Sequence, residues 1–135
     1  MDFATRSGLQ ATVDLTPLHR WLGFVVEEMD PATGHLVISA PAGGNAERSD
    51  GAGQAHGGAI ATLIDSTATF ACCIMLSRSV PTINLRVDYL RPAAGERLVA
   101  TAKVQRLGRS IGVVDVEVMS GDKLVALGRA DLSAA

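Results

Sequence analysis

The chain has 135 residues, 47% of them apolar and 19% charged, with a formal net charge of −2. That length and apolar fraction fit one packed domain over 1–135 and exclude a two-domain enzyme or a disordered segment. The slight acidic balance, one Trp, one Tyr and three Phe exclude a basic or aromatic-rich nucleic-acid platform.

With aromatics at 4%, the core is expected to be built from Val, Leu, Ile and Ala. Met1 to Arg6 lacks a charged start followed by an apolar run, so no secretory signal is expected. Thr16 and Pro17 open a short helix running to about Leu22, with Thr16 as N-cap, Pro17 in the first helical position and Gly23 ending it. Phe24–Met29 and His35–Ala40 read as strands on either side of a turn at Asp30–Gly34. Pro41–Ala55, rich in Gly and Ala, reads as a long loop without structure of its own, a kind of segment that is often functional.

The pattern is helical from His56 to about Leu76, with the helix proper at about 57–76. Ile60, Leu63, Ile64, Phe70, Ile74 and Met75 spread over several faces, which marks a buried helix rather than an amphipathic one. The run is long enough to invite a membrane-spanning reading. Asp65 at its centre, among Thr62, Ser66, Thr67 and Thr69, argues against that, because a central Asp is costly in a bilayer. Cys72 and Cys73 are adjacent on this helix and point apart, so a mutual disulfide is not expected. Buried free thiols fit a reducing compartment, and a cytoplasmic protein is expected.

Strand signals dominate after the helix. Ile83, Leu85, Val87 and Tyr89 alternate with Asn84, Arg86 and Asp88. Leu98–Arg106, Ile111–Met119 and Leu124–Leu132 follow, the last two joined by a hairpin turn at Ser120–Lys123. A single helix that is apolar on all sides needs a wrapper. The economical one is a curved antiparallel sheet around one long central helix, an α+β fold. One such sheet is not expected to cover the helix completely, so a second copy is expected to cover the rest.

The segment from Asp50 to Asp65 holds the chemistry. Gly57 and Gly58 stand where loop becomes helix, leaving backbone N–H groups open at the positive end of the helix dipole. A ligand oxygen with partial negative charge can dock there, as in an oxyanion hole. His56-Gly57-Gly58 equally reads as a tight turn with a capping imidazole. Asp65 inside an apolar helix is either a general base or nucleophile, or a carboxylate hydrogen-bonded to a neighbouring Ser or Thr. His56 and Asp65 are nine positions apart, which puts them on opposite sides of the helix and roughly 13 Å apart along its axis. If both serve one reacting centre, Asp65 must come from a second subunit.

Other matches fail. Gly108, Ser110 and Gly112 fit a nucleophile-elbow string, but a strand pattern follows where a helix is needed. Gly51, Gly53 and His56 miss the dinucleotide fingerprint at its third glycine. His19, His35 and His56 are too scattered for zinc, and His19 and His35 are expected at the surface or in turns. No metal or other cofactor is expected.

The segment resembles the hotdog-fold acyl-CoA thioesterases, in the branch of the phenylacetate-degradation thioesterase. Gly53, His56, Gly57, Gly58 and Asp65 match that family's pattern in register. Leu85–Pro92 resembles its central strand, Arg106–Arg109 its later strand turn, Leu124–Arg129 its final strand and Trp21–Phe24 its entry into the first strand, so the resemblance covers about Leu18 to Ala130. It implies a hotdog homodimer or homotetramer with shared active sites, hydrolysing acyl-CoA or aryl-CoA. The Gly57 N–H would polarise the thioester carbonyl, with Gly58 beside it and His56 holding loop and carbonyl. Asp65 from the partner subunit would activate water or attack directly, and Thr82 would orient the water unless it is only a solvated strand end. Arg109, with Arg106 and Arg91 behind it, would meet the CoA phosphates. The family's usual Asn six residues before the His is Asp50 here, and a carboxylate accepts hydrogen bonds without donating them. Asn45 could substitute for it if the loop folds differently. Two other readings share the scaffold, a hotdog hydratase or dehydratase and a non-catalytic acyl-CoA-binding protein.

Overall fold

Alternating apolar residues after Thr82 and an all-round apolar run before it produce a sheet and the helix it wraps. A computed structural model describes all 135 residues. Its elements are α1 (Arg6–Val13), α2 (Pro17–Leu22), β1 (Val25–Asp30), β2 (His35–Pro41), α3 (Gly57–Leu76), β3 (Thr82–Tyr89), β4 (Arg97–Leu107), β5 (Ile111–Ser120) and β6 (Lys123–Ser133). The six strands form one antiparallel sheet in the order β1-β2-β4-β5-β6-β3. Four of the five strand pairs contain a bulge, which bends and twists the sheet. α3 lies across one face, against β2 to β6. The inner rows of that face are small and aliphatic: Ala100 and Ala102 on β4, Val114, Val116 and Val118 on β5, Ala126, Ala130 and Leu132 on β6, all buried. This is the expected α+β arrangement, with β3 at a sheet edge and paired on one side only.

The N-terminal segment departs from the sequence reading, which assigned nothing before Thr16. α1 forms there, with the Thr5 hydroxyl accepting from Gly8 N–H at 3.0 Å as its cap. Its buried face is Leu9, Thr12 and Val13, and the two apolar residues among them are too few to register as periodicity. Gln10 ties it to β1, donating to the Phe24 carbonyl at 3.0 Å and accepting from Val26 N–H at 2.7 Å.

The cover on α3 comes from the sheet of its own chain. Within one chain only Gly58 of its 20 residues is exposed. Ten of the 20 are buried and nine are half-buried, so the sheet of one chain covers the helix only in part. Cys72 and Cys73 are free and buried on it. Burial pushes the Cys72 thiol up to about 11, so it stays protonated and unreactive at neutral pH.

His19 is a second departure. It is not at the surface but buried at 9% exposure, stacked on Phe24 at 5.1 Å between centroids and edge-on to Phe70 at 5.9 Å. Its Nδ1 lies 3.0 Å from the Val13 carbonyl, which can only accept, so Nδ1 carries the proton. The bare Nε2 then accepts from Ser66 Oγ at 3.0 Å, docking α2 onto α3. Burial holds the imidazole below its ordinary value of 6.5, only partly offset by the Val13 bond and the charges of Asp14 and Asp65. The folded protein thus refuses a proton that the unfolded chain accepts below about pH 6.5. Stability should be constant in this term above that pH and fall as pH drops through the window down to the lowered folded value. Urea midpoints from pH 7.5 to 5 should fall more for the native chain than for His19→Gln, and parallel curves would refute the link. His35 is exposed as expected, paired with Glu28 at 2.9 Å.

Candidate active site

Pro41–Ala55 is not the structureless loop its composition suggests. A single 3-10 turn at Gly44–Ala46 starts it. Glu47 and Ala55 then bridge, Arg48 N–H donates to the Gln54 carbonyl at 3.0 Å, and Arg48 Nε donates to Gln54 Oε1 at 3.0 Å. At the tip, Ala52 N–H donates to the Ser49 carbonyl at 3.0 Å with Gly51 at φ +72°, the left-handed third position of a type II turn. Two further bonds, Ala55 N–H to the Ala93 carbonyl at 3.0 Å and His56 N–H to the Ala46 carbonyl at 2.6 Å, fix the strap where it meets α3.

His56 is the N-cap of α3. Its Nδ1 accepts from Gly58 N–H at 2.8 Å, and its carbonyl accepts from Ala59 N–H at 3.0 Å and Ile60 N–H at 3.2 Å. The imidazole therefore caps the helix, and the cap occupies the Gly58 N–H. Of the first four amides of α3, only Gly57 N–H has no acceptor. Because Nδ1 accepts, the neutral imidazole carries its proton on Nε2, a second donor on an exposed ring.

Tyr89, at the end of β3, was not singled out in the sequence. Its hydroxyl donates to the Gly57 carbonyl at 2.6 Å. A Cβ on Gly57 would sit 3.2 Å from Tyr89 Cζ and Oη, so glycine there keeps ring and backbone in contact. The alternating pattern that made β3 legible gave Tyr89 only a place in the apolar row with Ile83, Leu85 and Val87. Its hydroxyl at a helix N-terminus is a tertiary fact.

Asp65 is half-buried, and its Oδ1 accepts from Thr82 Oγ1 at 2.7 Å. Thr82 is therefore not a solvated strand end. A bulge at Ile83, between the pairs Thr82–Leu132 and Asn84–Asp131, adds a residue and leaves Thr82 on the helix side. Thr82 Oγ1 also lies 3.1 Å from Thr69 Oγ1, a further residue the sequence reading did not single out as a site residue.

The two halves do not meet within one chain. Gly57 and Asp65 are eight helical residues apart, roughly 12 Å along the axis, and no hydrogen bond links their surroundings. Asp50 occupies the exposed strap tip with no side-chain partner, and Asn45 donates instead to the Trp21 carbonyl at 2.7 Å. Arg91, Arg106 and Arg109 are exposed and form no ion pair with any acidic group. A cavity of about 890 Å³ lies on the outer face of the sheet, away from both halves, among Arg86, Asp88, Lys103, Asp115, Glu117 and Arg129. There, Arg129 holds the Asp115 carboxyl below the usual carboxylate range. No three His, Cys, Asp or Glu side chains are grouped to hold a metal ion.

Residues 52–127 match the family model of the thioesterase superfamily. The acyl-coenzyme A thioesterase PaaI of Escherichia coli K12 is 34% identical over 110 residues, which span 80% of this chain and 75% of that protein. The medium/long-chain acyl-CoA thioesterase YigI of Salmonella typhimurium is 33% identical over 126 residues, spanning 80% and 78%. The solved structure of E. coli PaaI superimposes with a TM-score of 0.79 at 29% identity, covering 94% of this chain and 90% of that one. With the family match over more than half its length and one long helix wrapped by a six-stranded antiparallel sheet, the chain belongs to the thioesterase superfamily, as an enzyme of the hotdog fold.

Proposed function

We propose that the protein hydrolyses acyl-CoA or aryl-CoA thioesters to free acid and CoA, in a site shared by two copies of the chain. The observation that supports this best is the placement of β3. One end of the strand sets Tyr89 on Gly57, the other sets Thr82 on Asp65, and one of its edges is unpaired. Antiparallel pairing with a second β3, about a two-fold axis near the middle of the strand, sets the Thr82 end of one copy beside Tyr89 of the partner subunit. That pairing brings the free Gly57 amide and the Thr82-held carboxylate of two different chains together.

The chemistry needs little more. The thioester oxygen docks at Gly57 N–H, with His56 Nε2–H as second donor, where negative charge develops in the transition state. Asp65 Oδ2 has no hydrogen-bond partner and takes a proton from water as the water oxygen attacks. The C–O bond forms, the C–S bond breaks, and the proton passes to the departing CoA sulfur. Thr82 has given its proton to Asp65, so it can steer that water only through a lone pair. Arg109, Arg106 and Arg91, all exposed, would meet the CoA phosphates. Asp50, exposed at the strap tip, would reach across to the partner subunit. The names of the relatives support CoA thioesters as the substrate class; the cytoplasmic location in this proposal rests on the buried free thiols.

A panel of acyl- and aryl-CoAs assayed by free-thiol release tests the proposal. At least one should turn over at an enzymatic rate, on the order of 1 s⁻¹ or faster. Saturable binding of intact thioesters without thiol release would replace it with the non-catalytic reading. Loss of an enoyl double bond without thiol release would replace it with the hydratase reading.

A further inference from the structure

α3 has three threonines, and they spend their hydroxyls differently. Thr62 donates to the Gly58 carbonyl at 2.9 Å and Thr67 to the Leu63 carbonyl at 2.7 Å, each one turn back on its own helix. That is the ordinary fate of a helical threonine. Thr69 could do the same with the Asp65 carbonyl. Instead its hydroxyl leaves the helix and meets Thr82 Oγ1 on β3 at 3.1 Å.

Proton counting fixes the direction of that bond. A carboxylate oxygen only accepts, so Thr82 donates its single proton to Asp65 Oδ1 at 2.7 Å. Thr69 must then be the donor to Thr82. The three groups form a one-way chain, Thr69 to Thr82 to Asp65, in a half-buried setting where successive hydrogen bonds reinforce one another. A hydroxyl offers two acceptor sites. With one filled by Thr69, Thr82 has one lone pair left for a water at Asp65. Without Thr69, the Thr82 hydroxyl is freer to swing its proton away from the carboxylate and toward that water. It would then present a donor where attack requires an acceptor.

We propose that Thr69 is a positioning residue for the hydrolytic step. It fixes the polarity of the Thr82 hydroxyl, so that Asp65 receives the proton and the water meets a lone pair. Thr69 touches neither substrate nor water and acts only through Thr82. This inference rests on the reading of Asp65 as the group that activates water.

The test is a cycle of Thr69→Val, Thr69→Ser, Thr82→Val and the Thr69→Val/Thr82→Val pair, assayed on one acyl-CoA that turns over. Thr69→Val should lower kcat about five-fold, the size of one neutral hydrogen bond, while KM moves less than about two-fold. Thr69→Ser keeps the hydroxyl and should restore kcat, and it keeps the test decisive if the valine variant folds poorly. In the Thr82→Val background, Thr69→Val should cost nothing further, because its only route to the reaction is gone. Unchanged kcat in Thr69→Val would overturn the proposal, as would an equal loss in the Thr82→Val background, which marks a merely structural role. Asp65→Asn, run in parallel, separates the two levels. If that variant stays active, the reading of the site falls and the proposal with it. If it is inactive while Thr69→Val is normal, only the role of Thr69 falls.

Discussion

Replacing Asp65 with Asn is expected to lower kcat by at least about two orders of magnitude, the typical contribution of a positioned base, while leaving the fold intact. The two halves of that expectation have separate physical grounds. Asn is nearly isosteric, and its amide oxygen can still accept the Thr82 hydroxyl that now bonds Oδ1 at 2.7 Å, so the packing of α3 on β3 survives. What is lost is the second oxygen. Oδ2 has no partner in the structure and is the only carboxylate atom left to take a proton from water or to attack a carbonyl. An amide NH2 in its place donates and cannot act as a base. The measurements are kcat and KM for one good acyl-CoA, with a thermal melt to confirm that the variant is folded. A folded variant with near-native kcat would mean that the carboxylate is a structural partner of Thr82 and nothing more.

Two inactive variants are expected to rescue each other when their subunits mix. Gly57→Val should cost on the order of 10²–10³ in rate, the cost of losing an oxyanion donor, because its side chain crowds the only free amide at the start of α3. Even the first carbon of that side chain would lie 3.2 Å from the Tyr89 ring, so the strand end is disturbed as well. Mixed with Asp65→Asn, it can form hetero-dimers in which one of the two sites has an intact Gly57 from one chain and an intact Asp65 from the other. Random re-pairing makes about half the dimers mixed, with one good site each, so recovery should approach about a quarter of native activity. The experiment needs subunit exchange demonstrated independently, for example with a tag on one variant. Full exchange without recovery would show that each chain supplies both groups itself, against the roughly 12 Å that separates them along the helix. Both predictions concern the same arrangement, but the first tests a group and the second tests where that group comes from.

Much of the fold was legible in the sequence because it rests on short-range pattern. Period-two alternation located the strands to within a residue or so, and the apolar run interrupted only by small polar residues located α3. The N-terminal helix was not legible, since Leu9 and Val13 alone do not make a period. The strap at 47–55 was missed because its order comes from backbone bonds between Glu47, Arg48, Gln54 and Ala55, which composition does not encode. His19 was misplaced for a similar reason. A histidine's burial depends on whether both ring nitrogens find partners, and its partners, Val13 and Ser66, lie 6 and 47 residues away.

For the candidate site the same division holds. The sequence alone identified which groups are chemically unusual: glycines at a helix start, a carboxylate inside an apolar helix, and a nine-residue spacing that sets His56 and that carboxylate on opposite sides. Those conclusions need only helix geometry and the cost of burying charge. The tertiary structure decided which of those groups are free to act. It committed the Gly58 amide to His56, left the Gly57 amide open, joined Thr82 and Thr69 to Asp65, and set Tyr89 over Gly57. Apart from the open Gly57 amide, each of those decisions is a hydrogen bond within the first turn of α3 or between α3 and β3. A one-dimensional pattern records that a donor exists, but the availability of that donor depends on what the folded chain has already bonded to it.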